Sequence, residues 1–159
     1  MNLRWKPNVT AAAIIEQDGK FLLVEEQTSD GLRLNNPAGH LDLGETPEQA
    51  CRRETLEETT HTFEPTALVG VYQSRQKKAG EDITYLRFAY CGVLGPADPS
   101  RQLDSGIVRT VWMTAEEIRA NVDRLRSAIV LRCLEDYLAG RRFPLTLVVT
   151  HGDLSAAAL

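Results

Sequence analysis

Two apolar runs near the N-terminus, Val9 to Ile15 and Phe21 to Val24, flank the polar stretch Gln17-Asp18-Gly19-Lys20. Both runs suit strands, and Asp-Gly between apolar runs is a two-residue turn signal, so the pattern predicts an antiparallel pair. The alternation then lapses. Gly31 to Asn36 reads as a polar connection, and Pro37-Ala38-Gly39-His40 as an irregular or short-strand stretch. Thr46 is a good N-cap, with Pro47 at the first helical position and Gln49 completing a capping box, so a helix starts just after Glu45. Downstream, Ala67 to Gln73 and Ile83 to Val93 read as strands, with the basic, Gly-containing stretch Arg75 to Asp82 turning between them. Ile107 to Met113 is another strand, and Thr114 with Glu117 three residues on opens a short helix. A longer amphipathic helix follows at Ser127 to Leu138, closed by Gly140. Leu145 to Val149 reads as a last short strand or an extended packing segment, and the tail from His151 to Leu159 is expected to fray. Strands first, one helix in the middle and another near the end make an α+β order, with a mixed sheet between helices.

With 159 residues, 43% of them hydrophobic, the chain is long enough for one sizeable core, and nothing divides it, so a single domain spanning 1–159 is expected. A net charge of −4 supplies no broad basic surface. Nucleic acid polymers and anionic membranes are therefore poor partners, whereas a small phosphorylated substrate is compatible, because bound cations invert the local field. Cys51, Cys91 and Cys133 are odd in number, far apart and form no CxxC pair, which reads as reduced thiols in a cytoplasmic protein. Met1 to Lys6 carries charges where a signal peptide has an apolar core, and no apolar run approaches the ~20 residues of a membrane span. Spacing says nothing about assembly, so monomer and homodimer both stay open.

The chemistry concentrates in the middle helix. Residues three and four apart on a helix are neighbours, so Glu54, Glu57 and Glu58 converge, and Arg53 can pair with Glu57. Like charges so placed repel by only about 0.2–0.5 kcal/mol per pair on an exposed helix. An acidic face alone is therefore weak evidence of function.

The wider spacing is more specific: Gly39, five residues, Glu45, seven residues, Arg53-Glu54, two residues, Glu57-Glu58. It resembles the motif of the Nudix hydrolases, G-x5-E-x7-R-E-U-x-E-E-x-G-U, where U is a bulky aliphatic. All six charged or leading-glycine positions match. At residue frequencies of roughly 5–7%, chance would supply that match on the order of 10⁻⁷ times per starting position. Three positions depart from the motif: Thr55 and His61 replace aliphatics, and Thr60 replaces the glycine. A β-branched residue takes the left-handed conformation of a helix cap only at a cost, so the helix is expected to end differently, one residue or one turn later.

The resemblance implies an α/β/α sandwich and a divalent-metal site. Mg²⁺ is the expected ion, with Mn²⁺ a substitute, held by Glu57, Glu58, Glu54 and the Gly39 carbonyl. Mg²⁺ takes one or two protein carboxylates and completes its shell with waters and substrate phosphates. Arg53 would orient the glutamates, Glu45 would anchor them, and Glu54 would be a further ligand or the general base. In several members of the family the base lies on a distal loop, before the tryptophan of a segment like Trp112-Met113-Thr114-Ala115-Glu116-Glu117. The position six before Trp112 is Gly106, and Asp104 is the nearest acid, with Glu81 and Asp82 as alternatives. His40 contacts a phosphate or is simply solvated. Arg87, a charge inside the apolar run Tyr85-Leu86-Arg87-Phe88, points into a ligand cleft or faces the surface. Arg75, Lys77 and Lys78 read as a solvated basic turn, and His61 and His151 have no ligand-like spacing.

The runs Lys6 to Thr10, Phe21 to Glu26, Asn36 to Leu41, Leu86 to Phe88, Arg126-Ser127 and Arg142 to Leu145 resemble the NudJ-type bacterial Nudix phosphatases. That likeness implies hydrolysis of phosphoanhydrides in nucleoside di- and triphosphates, or in organic pyrophosphates such as hydroxymethylpyrimidine pyrophosphate or thiamine pyrophosphate. Two other functions share the fold. A nucleotide-sensing module would be expected to lose helix acids, which this chain keeps, and an isoprenoid diphosphate isomerase has no motif here that singles it out.

Overall fold

The computed structural model describes residues 3–152. Strand β1 (Asn8–Ile14) lies inside a four-stranded mixed sheet ordered β5-β1-β7-β6, where β5 is Ala38–His40, β6 His61–Lys78 and β7 Glu81–Ala97. It runs antiparallel to β5 and parallel to β7. A second, antiparallel sheet joins β2 (Glu16–Gln17), β3 (Lys20–Thr28) and β4 (Gly31–Asn35), with β8 (Ile107–Thr114) on the other edge of β3.

Side chains alternate across these strands and are buried on both faces, which explains their continuous apolar runs. Ala11, Ala13, Ile15, Leu22, Leu68 and Tyr90 pack with Ala50 and Cys51 of helix α1 (Pro47–Thr59). Ile14, Phe21, Leu23, Val69 and Ala89 pack the other way, against Ile118 of α2 (Ala115–Ala120) and Val130, Cys133 and Leu134 of α3 (Ala128–Leu138). Helices thus cover both faces, giving the α/β/α sandwich.

Both capping boxes form: Thr46 with Gln49 opens α1, and Thr114 with Glu117 opens α2. Other expectations need correction. The first apolar run pairs mainly with β5 and β7, and the antiparallel pair at the start is short: β2 joins β3 through a turn in which Asp18 and Gly19 both have positive φ (52° and 77°), and only Ile15 of the run reaches it, accepting from the Leu22 N–H (2.9 Å). Gly31 to Asn36 is no polar connection: Leu32 and Leu34 alternate with polar neighbours, and residues 31–35 pair with β3. The supposed turn from Arg75 to Asp82 is mostly strand. β6 and β7 run on to a tight turn at Ala79-Gly80, and the charges pair across the hairpin, Arg75 with Asp82 and Lys78 with Asp30 of the neighbouring turn. Leu145–Leu147 forms a 3₁₀ turn and not a strand. The expectation that the tail from His151 to Leu159 frays lies, beyond Gly152, outside the described residues.

The end of α1 is a further correction. Thr60 itself takes the left-handed conformation at φ 64°, and the helix stops at Thr59, neither one residue nor one turn late. Hydrogen bonds hold it there: its N–H donates to the Leu56 carbonyl (2.9 Å), and its carbonyl accepts from the Asp98 N–H (2.8 Å). Thr55 is fully buried because its hydroxyl bonds back to the Cys51 carbonyl at 2.8 Å, so a polar residue fills an aliphatic position without an orphaned donor. His61 binds the Gly95 carbonyl through Nδ1 (2.9 Å).

Candidate active site

Helix α1 presents one flank to a cleft of about 340 Å³. Glu54 and Glu58, one turn apart, line it, together with Gly39 and His40 from β5 and Arg87 from β7. Gly39 lets the two approach: a Cβ there would stand 2.0 Å from the Glu54 carboxyl carbon and would displace that carboxylate. The bare backbone of β5 and the acid face of α1 therefore meet in direct contact.

Arg53 organises the flank. Its Nε and Nη2 bind both oxygens of Glu45 (2.6 and 3.0 Å), Nη1 binds Glu54 (2.7 Å) and Glu57 (3.0 Å), and Nη2 also donates to the His40 carbonyl (2.9 Å). Glu45 in turn accepts from the Asp42 N–H at 2.9 Å, tying the loop before the helix to the helix itself. Glu57 lies beside the cleft lining. It gives Oε2 to Arg53, and Oε1 has no hydrogen-bond partner among the described residues.

Of the four acids that line the cleft, Glu26, Asp42, Glu54 and Glu58, the two on α1 are buried, Glu54 at 9% exposure and Glu58 at 7%. Burial raises the pKa of Glu54, against the opposing pull of Arg53. Glu58 has the Ala38 N–H as its one bonded donor (2.9 Å) and sits near Glu54, Glu26 and Asp104. Burial and those like charges push its carboxyl up to about 8. The donor set therefore suits a hard divalent cation: buried carboxylates short of positive charge, beside backbone that no side chain screens. Among the described residues no three His, Cys, Asp or Glu side chains are grouped so that they could hold a metal ion by themselves, so an ion here would need further ligands from water or substrate.

Asp104 is close enough for its charge to act on Glu54 and Glu58, and its N–H donates to the Glu57 carbonyl (2.9 Å). Asp82 is tied to Arg75 near the hairpin tip, and neither it nor Glu81 lines the cleft. His40 is exposed, with its ring 6.2 Å from that of Tyr85. Arg87 lines the cleft and does not face the surface. It forms no ion pair among the described residues, its Nη2 donates to Asn35 Oδ1 (3.4 Å), and its Nη1 is buried without a partner.

Sequence reasoning missed Glu26, Asn35 and Arg126, which also line the cleft. Asn35 Nδ2 donates to Glu26 Oε1 (3.3 Å), and Arg126 lies 3.5 Å from the same oxygen. Glu26 and Asn35 had one signal available: polar residues closing apolar strands. The neighbouring Glu25, at 4% exposure, is a different kind of site. Arg109 donates to it at 2.7 Å and Arg124 bonds its other oxygen, and together they hold its pKa below the ordinary value.

Residues 5–133 match the family model of the NUDIX domain. The chain belongs to the Nudix family. It is 35% identical over 144 residues to Phosphatase NudJ of Escherichia coli, covering 91% of this chain and 92% of that one. Among solved structures, a NUDIX hydrolase from Nitrosomonas europaea superposes with a TM-score of 0.85 at 50% identity, covering 92% and 98% of the two chains. A MutT NUDIX hydrolase from Burkholderia pseudomallei, at 20% identity and TM-score 0.69 over 83% and 98%, shares the fold. This Nudix chain is thus an enzyme of the hydrolase class, and Nudix hydrolases act on small phosphorylated substrates with divalent metals. No helix among the described residues is long and apolar enough to cross a membrane.

Proposed function

We propose that this Nudix enzyme hydrolyses phosphoanhydride bonds in nucleoside di- and triphosphates, or in small organic pyrophosphates such as hydroxymethylpyrimidine or thiamine pyrophosphate, with Mg²⁺ as cofactor and Mn²⁺ as a substitute. The observation that carries the reading is the pair Glu54 and Glu58, buried on one wall of the cleft without enough cations to neutralise them. The likeness to Phosphatase NudJ supports the substrate class.

In this reading Glu54, Glu57, Glu58 and the Gly39 carbonyl hold the metal, Glu57 through its free Oε1. When bound, the ion supplies neutralisation of the pyrophosphate charge and polarisation of phosphorus. Glu54, which lines the cleft and is held by Arg53, accepts the proton of the attacking water. Arg53 stays charged and fixes the Glu54 and Glu57 rotamers, so the base is oriented before substrate arrives. Arg87 and His40 contact the phosphates, Arg87 as the half-buried cation that an anion would satisfy. Three free, buried cysteines support a cytoplasmic setting, and the enzyme acts as a monomer or homodimer without a nucleic acid polymer or membrane as partner.

The test is phosphate release from a panel of nucleoside di- and triphosphates, thiamine pyrophosphate and a nucleotide sugar, with and without Mg²⁺, resolving orthophosphate from pyrophosphate. Mg²⁺-dependent release from the first two classes is expected. Release that survives chelation, or none from any member of the panel, would overturn the reading.

A further inference from the structure

The cleft holds a cation and an anion that ought to attract each other and do not touch. Arg87 has no carboxylate partner among the described residues, although Glu26 lines the same cleft. Asn35 stands between them, 7% exposed, with both ends of its amide engaged. Its Oδ1 faces the Arg87 guanidinium at 3.4 Å, and its Nδ2 faces Glu26 Oε1 at 3.3 Å. The orientation follows from the neighbours: a guanidinium only donates and a carboxylate only accepts, so oxygen must face arginine and nitrogen must face glutamate. A carboxamide is a neutral group short enough for the site that satisfies both. Aspartate would give Arg87 a counter-charge and set a second carboxylate against Glu26. An apolar residue would take both bonds away and leave the guanidinium and the carboxylate free to close on each other.

We propose that Asn35 is a positioning residue: a neutral spacer that keeps Arg87 from pairing with Glu26, so that its charge stays available to a substrate phosphate. This rests on the reading of Arg87 as a phosphate contact. A guanidinium already paired with a carboxylate binds a phosphate less well, because the phosphate must then displace the acid. The spacer thereby leaves the cleft with acids at Glu26, Glu54 and Glu58 and an uncommitted cation at Arg87, which a substrate phosphate would meet. Arg126, 3.5 Å from Glu26, supplies that acid with a separate counter-charge.

The test uses methylenediphosphonate, a pyrophosphate mimic that is not hydrolysed, titrated calorimetrically into the full chain at fixed Mg²⁺, alongside KM and kcat for a nucleoside diphosphate. Arg87→Gln is expected to weaken binding and raise KM by roughly tenfold or more, with kcat changed less. Asn35→Ala should act in the same direction, because Arg87 then reaches Glu26. The deciding arm is Asn35→Ala in a Glu26→Gln background, where no carboxylate waits and the loss should largely vanish relative to Glu26→Gln alone. Asn35→Asp, which carries its own carboxylate, should weaken binding in either background, and it serves if the alanine variant does not fold by thermal unfolding. A loss for Asn35→Ala of equal size with or without Glu26 would overturn the spacer role while Arg87 remained a phosphate contact. An Arg87→Gln variant that binds and turns over like wild type would overturn both.

Discussion

Glu25 and Glu58 are both glutamates buried to within a few per cent of full occlusion, yet their carboxyls are displaced in opposite directions. Glu25 has two arginines on it, Arg109 from β8 and Arg124 from the turn before α3, and its pKa is lowered. Glu58 has one backbone N–H and acidic neighbours, and its pKa is pushed up to about 8. Burial is common to both, so the supply of counter-charge makes the difference. The first arrangement is complete as it stands and clamps β3 to β8. The second is electrostatically incomplete, which is the mark of a place built to receive a cation.

The largest expected effects break the incomplete site. Glu58→Gln and Glu57→Gln should each lose most turnover, more than the about 10–100-fold that accompanies loss of an outer-shell partner. Glu58→Gln should also keep or raise the thermal unfolding midpoint, since the amide still accepts from Ala38 and, unlike the carboxyl, needs no proton to be neutral there. Near wild-type kcat in both variants at saturating Mg²⁺ would end the metal assignment. Next comes the base: Glu54→Gln should cost about 10²–10⁴-fold in rate, and Asp104→Asn only a few-fold. The reverse order, measured across pH, would move the base to the loop.

Glu25→Gln should invert the pattern, with little change in kcat per folded molecule but a loss of about 1–3 kcal/mol in urea unfolding. The partners' own exposure keeps this below the cost of a fully enclosed pair, because Arg109 and Arg124 can recover water. The sign of its pH dependence follows from the lowered folded pKa. The Glu25 contribution is present above the ordinary value of 4.5 and is lost as pH falls through the folded value. The stability gap between wild type and Glu25→Gln should therefore shrink in acid; a gap that grows would refute the clamp. The smallest effect is expected at Thr60→Gly, remote from both acids: activity within twofold and stability within about 1 kcal/mol, relief of the left-handed strain offsetting the added backbone freedom. A large activity loss there would show that the helix end tunes the acid face.

Helix α1 was legible in the sequence because its chemistry is local: cap, proline and acids fall within a few turns, and spacing alone places them on one flank. The rest of the cleft is assembled from distant strands. Glu26, Asn35 and Arg126 each lie in a short polar stretch beside an apolar run, and nothing in linear order says that they meet. Arg75 to Asp82 misled for a related reason, since charges that pair across a hairpin look like a solvated turn until the partner strand is known. Thr60 shows the converse: a steric preference read correctly from one residue was overridden by backbone bonds to Leu56 and Asp98.

The parallel pairing of β1 with β7 carries a consequence for how the chain acquires its shape. Asn8 pairs with Tyr85 and Ile14 with Cys91, while the earlier neighbour β5 offers three residues of pairing. During synthesis the first strand thus emerges long before the edge that completes it, with α1 and all of β6 still to come. The hairpin of β6 and β7, closed by a tight turn, forms from neighbouring sequence and needs no such wait. Non-local closure of this kind slows folding, so the pairing of β1 with β7 is expected to follow the hairpin, and β5, which hangs on β1, to follow with it.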